Sequence, residues 1–402
     1  MNIATISTAY LRARPLNTVL ILLLLALGSA TITLLLLASA QLEERMGRDA
    51  RGIDLVVGAK GSPMQLILSA VYHLDIPTGN IPLTEANALA KRKPLVKQTI
   101  PLSLGDSYKG FRIVGTNHDY PAHYGAKVAS GRLWEKSMEA VLGAEAAARL
   151  GIGVGGSFTG SHGLDGEGMH HGDHPYTVVG VLARTGTVLD RLVLTGLESV
   201  WDVHAREDTH KGEKPVPLVE EEKEITALLV RYGSPLAVMQ LPRFVNVQTE
   251  MQAASPAFES ARLFKLLGVG FDVMRAFAAV LIASAAVSVF VALYNALRER
   301  RYDLAIMRTL GSSRRKLMGL MLAEGVMLSL IGTVLGMALG HVLAEVMGWV
   351  LRARQQVEIT GWYWVNEELW LLALAVGVGV VAALVPALVA YRTDIARTLA
   401  EG

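Results

Sequence analysis

Three charge-free apolar runs, Pro15 to Gln41, Ala276 to Leu297 and Leu369 to Tyr391, constrain this chain more than any other feature. A fourth, at 317–344, is interrupted only by Glu324 and His341. Each is long enough to cross a bilayer, because a hydrocarbon layer of about 30 Å takes roughly 20 helical residues. Between the first and second lies a polar block, large enough to bury its own core and to hold two subdomains. The chain has 402 residues, 51% of them hydrophobic. It is too apolar for one soluble domain and too charged in its middle for an all-membrane protein. The fold class is therefore four transmembrane α-helices with a large extracytoplasmic domain inserted between helices 1 and 2.

Orientation follows from the basic residues. Arg12 and Arg14 precede the first run without an acidic partner. The connector between the second and third runs carries Arg298, Arg300, Arg301, Arg308, Arg314, Arg315 and Lys316 against only Glu299 and Asp303. Both segments are assigned to the cytoplasm by the positive-inside rule. The segment 351–368 balances Arg352 and Arg354 with Glu358, Glu367 and Glu368, and holds Trp362, Tyr363 and Trp364, as an outer interface does. The large block then faces outward and both termini face inward. The net charge of +2 sums over this asymmetry and argues against nucleic-acid binding.

Ala38-Ser39-Ala40 behind a basic flank and an apolar run resembles a signal-peptide cleavage site. A signal core spans about 7 to 15 residues, so the longer run here reads as a permanent anchor. The absence of cysteine excludes disulfides and thiolate metal ligands. The outer block alternates helix and strand signals, an α+β pattern. Ile53–Val57, Phe111–Gly115 and Tyr176–Leu182 read as strands, and Glu139–Leu150 as an Ala-rich helix. Residues 41–50 and 256–275 continue the helical periodicity of helices 1 and 2, as a stalk would, and 211–224 reads as an exposed loop.

The connector reads as a docking element, with an ordinary basic loop as the plain alternative. Gly311-Ser312-Ser313 can end one helix and cap the next. Gly332, Gly336 and Gly340, spaced by four, form a small-residue ridge for close approach of a helix. Helix 2 or 4 of the same chain, or a second copy, could occupy it. Glu324 is either a paired or functional intramembrane charge or a snorkelling one near the inner interface.

No G-x-x-x-x-G-K-[ST] is present, so nucleotide phosphates are not held in the P-loop manner. Gly151 to Gly156 formally fits G-x-G-x-x-G but follows a helix and precedes a strand, the reverse of the dinucleotide-binding context, and reads as a turn. Neither a hydrolase elbow nor an HExxH helix is found. The chain carries no chemistry of its own on this reading. All histidines except His341 lie in the outer block. His162, His170, His171, Asp173 and His174 in the Gly-rich stretch 160–175 are a candidate zinc set, against the alternative of a solvated loop. Asp202, His204, Asp208 and His210 make a second cluster, and His118, Asp119 and His123 a third.

The stretch 299–340, ERRYDLAIMRTLGSSRRKLMGLMLAEGVMLSLIGTVLGMALG, resembles the signature of MacB/FtsX-type ABC permeases, the mechanotransmission or type VII class. The stretches 129–158, 176–201 and 385–402 are also similar to that family, so the resemblance covers most of the chain. It implies a bacterial inner-membrane permease that dimerises, binds no ATP itself and works with a separate cytoplasmic ABC ATPase. Arg301, Asp303, Leu304, Met307, Arg308, Leu310 and Gly311 would couple to that ATPase, apolar residues in a groove and charges fixing orientation. The division implied is a cytoplasmic segment at 1–15 and helix 1 at 16–40, then the outer domain at 41–270 and helix 2 at 271–297. The coupling segment at 298–316, helix 3 at 317–350, an outer loop at 351–368, helix 4 at 369–391 and a cytoplasmic tail at 392–402 complete it. The resulting function is ATP-driven movement of a periplasmic domain for export, extraction or transfer of a substrate, linked to zinc or metal handling by the histidines. The alternatives are an FtsX-like signal transmitter acting on a periplasmic partner, a lipoprotein-release type permease, or a membrane-anchored metal buffer.

Overall fold

A computed structural model describes residues 15–162, 175–207, 223–299, 306–353 and 359–392. The elements begin with α1 (Pro15–Asp49), β1 (Leu55–Ala59), α2 (Pro63–Ala70), β2 (Ile81–Pro82), α3 (Leu83–Ala90), β3 (Val96–Tyr108) and β4 (Phe111–Thr116). Next come α4 (Asp119–His123), β5 (Val128–Gly131), β6 (Glu139–Leu142), α5 (Ala144–Leu150), β7 (Ser157–Phe158), β8 (Ser161–His162) and β9 (Tyr176–Leu182). β10 (Leu192–Gly196), α6 (Leu197–Glu207), β11 (Glu224–Ile225), β12 (Ala227–Tyr232), α7 (Ala237–Gln248) and β13 (Met251–Ala254) follow. The chain closes with α8 (Pro256–Glu299), α9 (Arg314–Ala353) and α10 (Glu368–Arg392). Two units result, one of Met1–Glu43 with Leu267–Gly402 and the other of Glu44–Leu266.

In the first unit, α1, α8, α9 and α10 are each long and apolar enough to span a membrane. α1 runs unbroken past its apolar stretch to Asp49. α8 opens at Pro256, where proline suits the first helical position because its missing N–H would have no partner there. α9 packs through one stripe of small residues. A Cβ on Gly325 would lie 2.7 Å from Ala383 Cβ, and the hydroxyl of Ser329 donates to the Ala375 carbonyl of α10 at 2.7 Å. Further along, Gly332 faces Leu25, Gly336 faces Ser29 and Ala26, and Gly340 faces Thr33 and Ala30.

The neighbour of the glycine ridge is therefore α1, which corrects the expectation of helix 2, helix 4 or a second copy. Two steps of four along α9, from Gly332 to Gly340, match two steps of four along α1, from Leu25 to Thr33, in the same sense, so the two helices run parallel. The cause is complementarity: Ala26, Ser29, Ala30 and Thr33 give α1 a small-residue face at the same spacing. Glu324 is buried, 3% exposed, which removes the snorkelling reading.

In the second unit an 11-stranded sheet runs in the order β13-β1-β12-β3-β4-β10-β6-β9-β5, with β7 on β9 and β8 on β3. Most pairs are antiparallel; β10 with β4 and β6 with β9 are parallel. Two cores lie on this sheet. One gathers Leu55, Val57, Leu228 and Val230 with Leu89 of α3 and Leu241 and Val245 of α7. The other gathers Phe111, Ile113, Val178 and Val193 with Ala146 of α5 and Val203 of α6. β9 alternates buried and less buried residues along Tyr176–Leu182, as a strand covered mainly on one face does.

Residues 139–150, expected to be one helix, split into β6 and α5. Glu139-Ala140-Val141-Leu142 is inserted between β10 and β9, and its helix-forming composition is overridden by burial in the sheet. Gly143, extended at φ −65° and ψ 158°, separates the two elements. Gly151 then ends α5 in the left-handed region at φ 67°, so the glycine-rich stretch is a helix stop followed by β7, as the turn reading predicted.

Candidate functional site

The described part of the segment between α8 and α9 begins at Ile306. Ile306–Thr309 is helical, and Gly311, at φ 96°, takes the chain out of it in a conformation that a side chain would disfavour. Ser313 Oγ then accepts the Lys316 amide at 3.2 Å, capping the start of α9. Leu310 is 82% exposed and Ile306, one turn back, is also exposed. Met307 instead packs against the cluster of Leu297, Leu317, Leu320 and Met321, which corrects its expected place on the docking face. The reason is angular: 306 and 310 lie on one side of a helical turn, and 307 lies about 100° round. Arg308 is half-buried. Arg301, Asp303 and Leu304 lie outside the described residues.

Of the zinc set, His170, His171, Asp173 and His174 also lie outside the described residues, while the backbone of His162 pairs with Asp106 through β8 and β3. The third histidine cluster is not brought together. His118 Nε2 lies 2.8 Å from the Trp134 carbonyl and His123 Nε2 lies 2.9 Å from the Arg51 carbonyl. The Nε2 of each ring is thus spent on a backbone acceptor. In the second cluster, Asp202 takes the Ser137 hydroxyl at 2.5 Å. Among the described residues no group of three or more histidines and carboxylates could hold a metal ion.

A polar clamp in the membrane unit was not foreseen. Gln41 of α1 donates from Nε2 to the Thr360 carbonyl and accepts the Thr360 amide, both at 2.9 Å. Glu345 of α9 accepts the Thr360 hydroxyl at 2.8 Å and the Gly361 amide at 2.9 Å. One turn earlier, His341 Nδ1 donates to the Gly361 carbonyl at 2.6 Å, since that oxygen can only accept. Its Nε2 lies 3.0 Å from Oε2 of Glu368, whose side chain is fully buried. Gly361 is required because a Cβ there would overlap the His341 carbonyl. The residues before α10 are thereby tied to the ends of α1 and α9. The available signal was His341 and Glu345 at i, i+4, two polar side chains on one face of an apolar helix.

The second unit holds a buried polar network where α1 ends. Asp49 Oδ1 accepts the Val188 amide at 2.8 Å, and the Tyr124 hydroxyl donates to the Asp49 carbonyl at 2.8 Å. Burial raises the Asp49 carboxyl above the ordinary carboxylate range despite that amide. Tyr72 and Ser260 share a hydrogen bond of 2.6 Å, which ties α8 to the second residue after α2. Beside them His73, at φ 54°, places Nε2 2.9 Å from the Tyr120 hydroxyl, while its Nδ1 has no partner among the described residues. Burial holds the His73 imidazole well below its usual range, and the Arg112 and Arg191 charges push the same way.

Comparison with known proteins places both units. The sequence profile of the MacB-like periplasmic core domain matches residues 18–257, and that of the FtsX-like permease C-terminal region matches 275–395. No curated protein matches the sequence. Among solved structures, the periplasmic region of MacB from Actinobacillus actinomycetemcomitans aligns at a TM-score of 0.35 and 12% identity, over 55% of this chain and 96% of that one. The core-domain profile alone spans more than half of the chain, the second profile takes in most of the other unit, and the α/β sheet is inserted in the sequence between the first and second of four membrane-length helices. The chain belongs to the MacB/FtsX-type permeases of ABC transporters, as a multi-pass membrane protein.

Proposed function

We propose that this chain is the permease subunit through which a separate cytoplasmic ATPase moves a periplasmic domain to export, extract or transfer a substrate. The observation that carries the reading is the exposed pair Ile306 and Leu310 on a helical turn between two membrane-length helices. Apolar side chains at that spacing suit a groove on a partner, and Arg308, Arg314, Arg315 and Lys316 around them supply orientation by charge. The basic flanks support a cytoplasmic position for this turn and both termini, in keeping with a permease of the inner membrane. Family kinship supports a dimer of permeases and an ATPase partner, with no catalysis in this chain. Metal handling is a narrower form of the proposal and rests only on the histidines of 160–175.

The test is the double variant Leu304→Asp with Arg308→Glu in the full chain. Membrane insertion and melting stay as in the wild type, while the ATPase no longer co-purifies. Normal co-purification refutes the docking role.

A further inference from the structure

α7 buries Ala237, Leu241 and Val245 against the sheet and leaves the opposite stripe uncovered. Leu236, Met239 and Val247, respectively 56%, 78% and 74% exposed, recur at helical spacing with the exposed Arg243 among them. The end of α3 adjoins this stripe, because the Arg92 guanidinium lies 3.5 Å over the Phe244 ring. Lys91, Arg92 and Lys93 are all exposed there. A cleft of about 350 Å³ opens between the helices, lined by Glu85, Leu89, Arg92, Phe244, Gln248 and Met251. Of the two carboxylates that line the cleft, Glu250 is paired with Lys60 at 3.1 Å, leaving Glu85 beside Arg92, while Lys91, Lys93 and Arg243 are exposed outside the cleft.

We propose that this face of the periplasmic core domain docks an acidic, amphipathic segment of a partner protein. Three arguments select that occupant. A second copy related by two-fold symmetry would bring Lys91–Lys93 and Arg243 against the same groups, so like charges would oppose the pairing. Arg243 sits within the apolar stripe, where a carboxylate on a facing helix can meet it and a bilayer interior cannot. The cleft is concave and takes a side chain, whereas a lipid surface is flat. The proposal rests on the family reading of this unit as a periplasmic core domain and is independent of ATPase coupling.

The chain has no cysteine, so Met239→Cys provides a single labelling site for an environment-sensitive dye. The labelled full-length chain in nanodiscs is titrated with a synthetic helix bearing leucines on one face and glutamates beside them, and with the same helix carrying lysines instead. The glutamate peptide should shift the dye emission to the blue and the lysine peptide should not. Lys93→Glu with Arg243→Glu should weaken that binding at least tenfold without changing the melting temperature. Equal binding of both peptides, binding of neither, or indifference to the double charge reversal overturns the proposal. So does a blue shift before any peptide is added: dependence on anionic lipid would assign the face to the membrane, and dependence on protein concentration to a second copy. No ATPase is present in the assay, so failure here leaves the coupling reading to its own test.

Discussion

Where α9 meets α1, three glycines face a surface that is made of small residues except for Leu25; where β4 meets β10, Ile113 pairs with Val193 and Val114 with Leu194. The difference follows from the solvent each unit displaces. The sheet gains about 25 cal/mol for each Å² of apolar surface it removes from water, so large side chains hold it together. Membrane helices gain nothing comparable from burying leucine, which lipid solvates equally well, so close backbone approach and polar contacts decide their packing. Removing bulk should therefore damage the sheet, and adding bulk should damage the helix pair.

The largest expected effect is in the sheet. Phe111 is buried in the second core, and Phe111→Ala should cost about 3 to 5 kcal/mol, read as a lower unfolding midpoint of the solubilised chain. The opposite substitution tests the helix pair. A Cβ on Gly336 would overlap Ser29 Oγ and the Ala26 carbonyl, so Gly336→Leu should cost about 1 to 3 kcal/mol or more. Gly336→Ala should already destabilise, by less. Tolerance of both at Gly336, checked by melting in detergent, would remove the ridge from the α1 contact.

A third effect separates the units by pH. His73 belongs to the sheet unit, and its imidazole is held well below the usual range by burial first and by Arg112 and Arg191 next. The unfolded chain then binds a proton below about pH 6.5 that the folded chain refuses. Stability from this group is complete above that pH and declines as the pH falls below it. Melting of the sheet unit, followed between pH 7.5 and 5.5, should show the decline, and His73→Asn, which tolerates positive φ, should flatten it. An unchanged slope would assign the acid sensitivity elsewhere.

Legibility in the sequence divides along the same line. The membrane helices were readable because a charge-free run has one meaning in lipid, and β9 because alternation over 176–182 matches the strand period. The partner of Gly332, Gly336 and Gly340 was not readable, since a small residue specifies how near a neighbour comes and not which neighbour it is. Glu139–Leu142 was misread because local composition favoured helix while the sheet on both sides of it decided otherwise. The clamp of His341, Glu345 and Glu368 escaped for a related reason: its partners on 360–361 lie 15 to 20 residues away along the chain and are mostly backbone groups, which leave no trace in residue type.

The smallest expected effect sharpens the comparison most, because it uses one substitution at two serines that are both 0% exposed. Ser199 Oγ accepts the Met138 amide at 2.9 Å and lies 2.7 Å from the Thr195 hydroxyl. Ser199→Ala strands a donor in the sheet unit and should cost about 1 to 3 kcal/mol. Ser329 in α9 makes the reverse kind of bond, donating to the Ala375 carbonyl of α10 and, at 3.0 Å, to Val326 of its own helix. Both carbonyls belong to helical backbone with its own hydrogen bonds, so Ser329→Ala leaves no donor unmet and keeps the close approach to Gly379. A cost of about 0.6 kcal/mol is expected, the average for a side-chain hydrogen bond between membrane helices. If Ser329→Ala proved the more damaging of the two, hydrogen bonding rather than close backbone approach would be what holds α9 to α10.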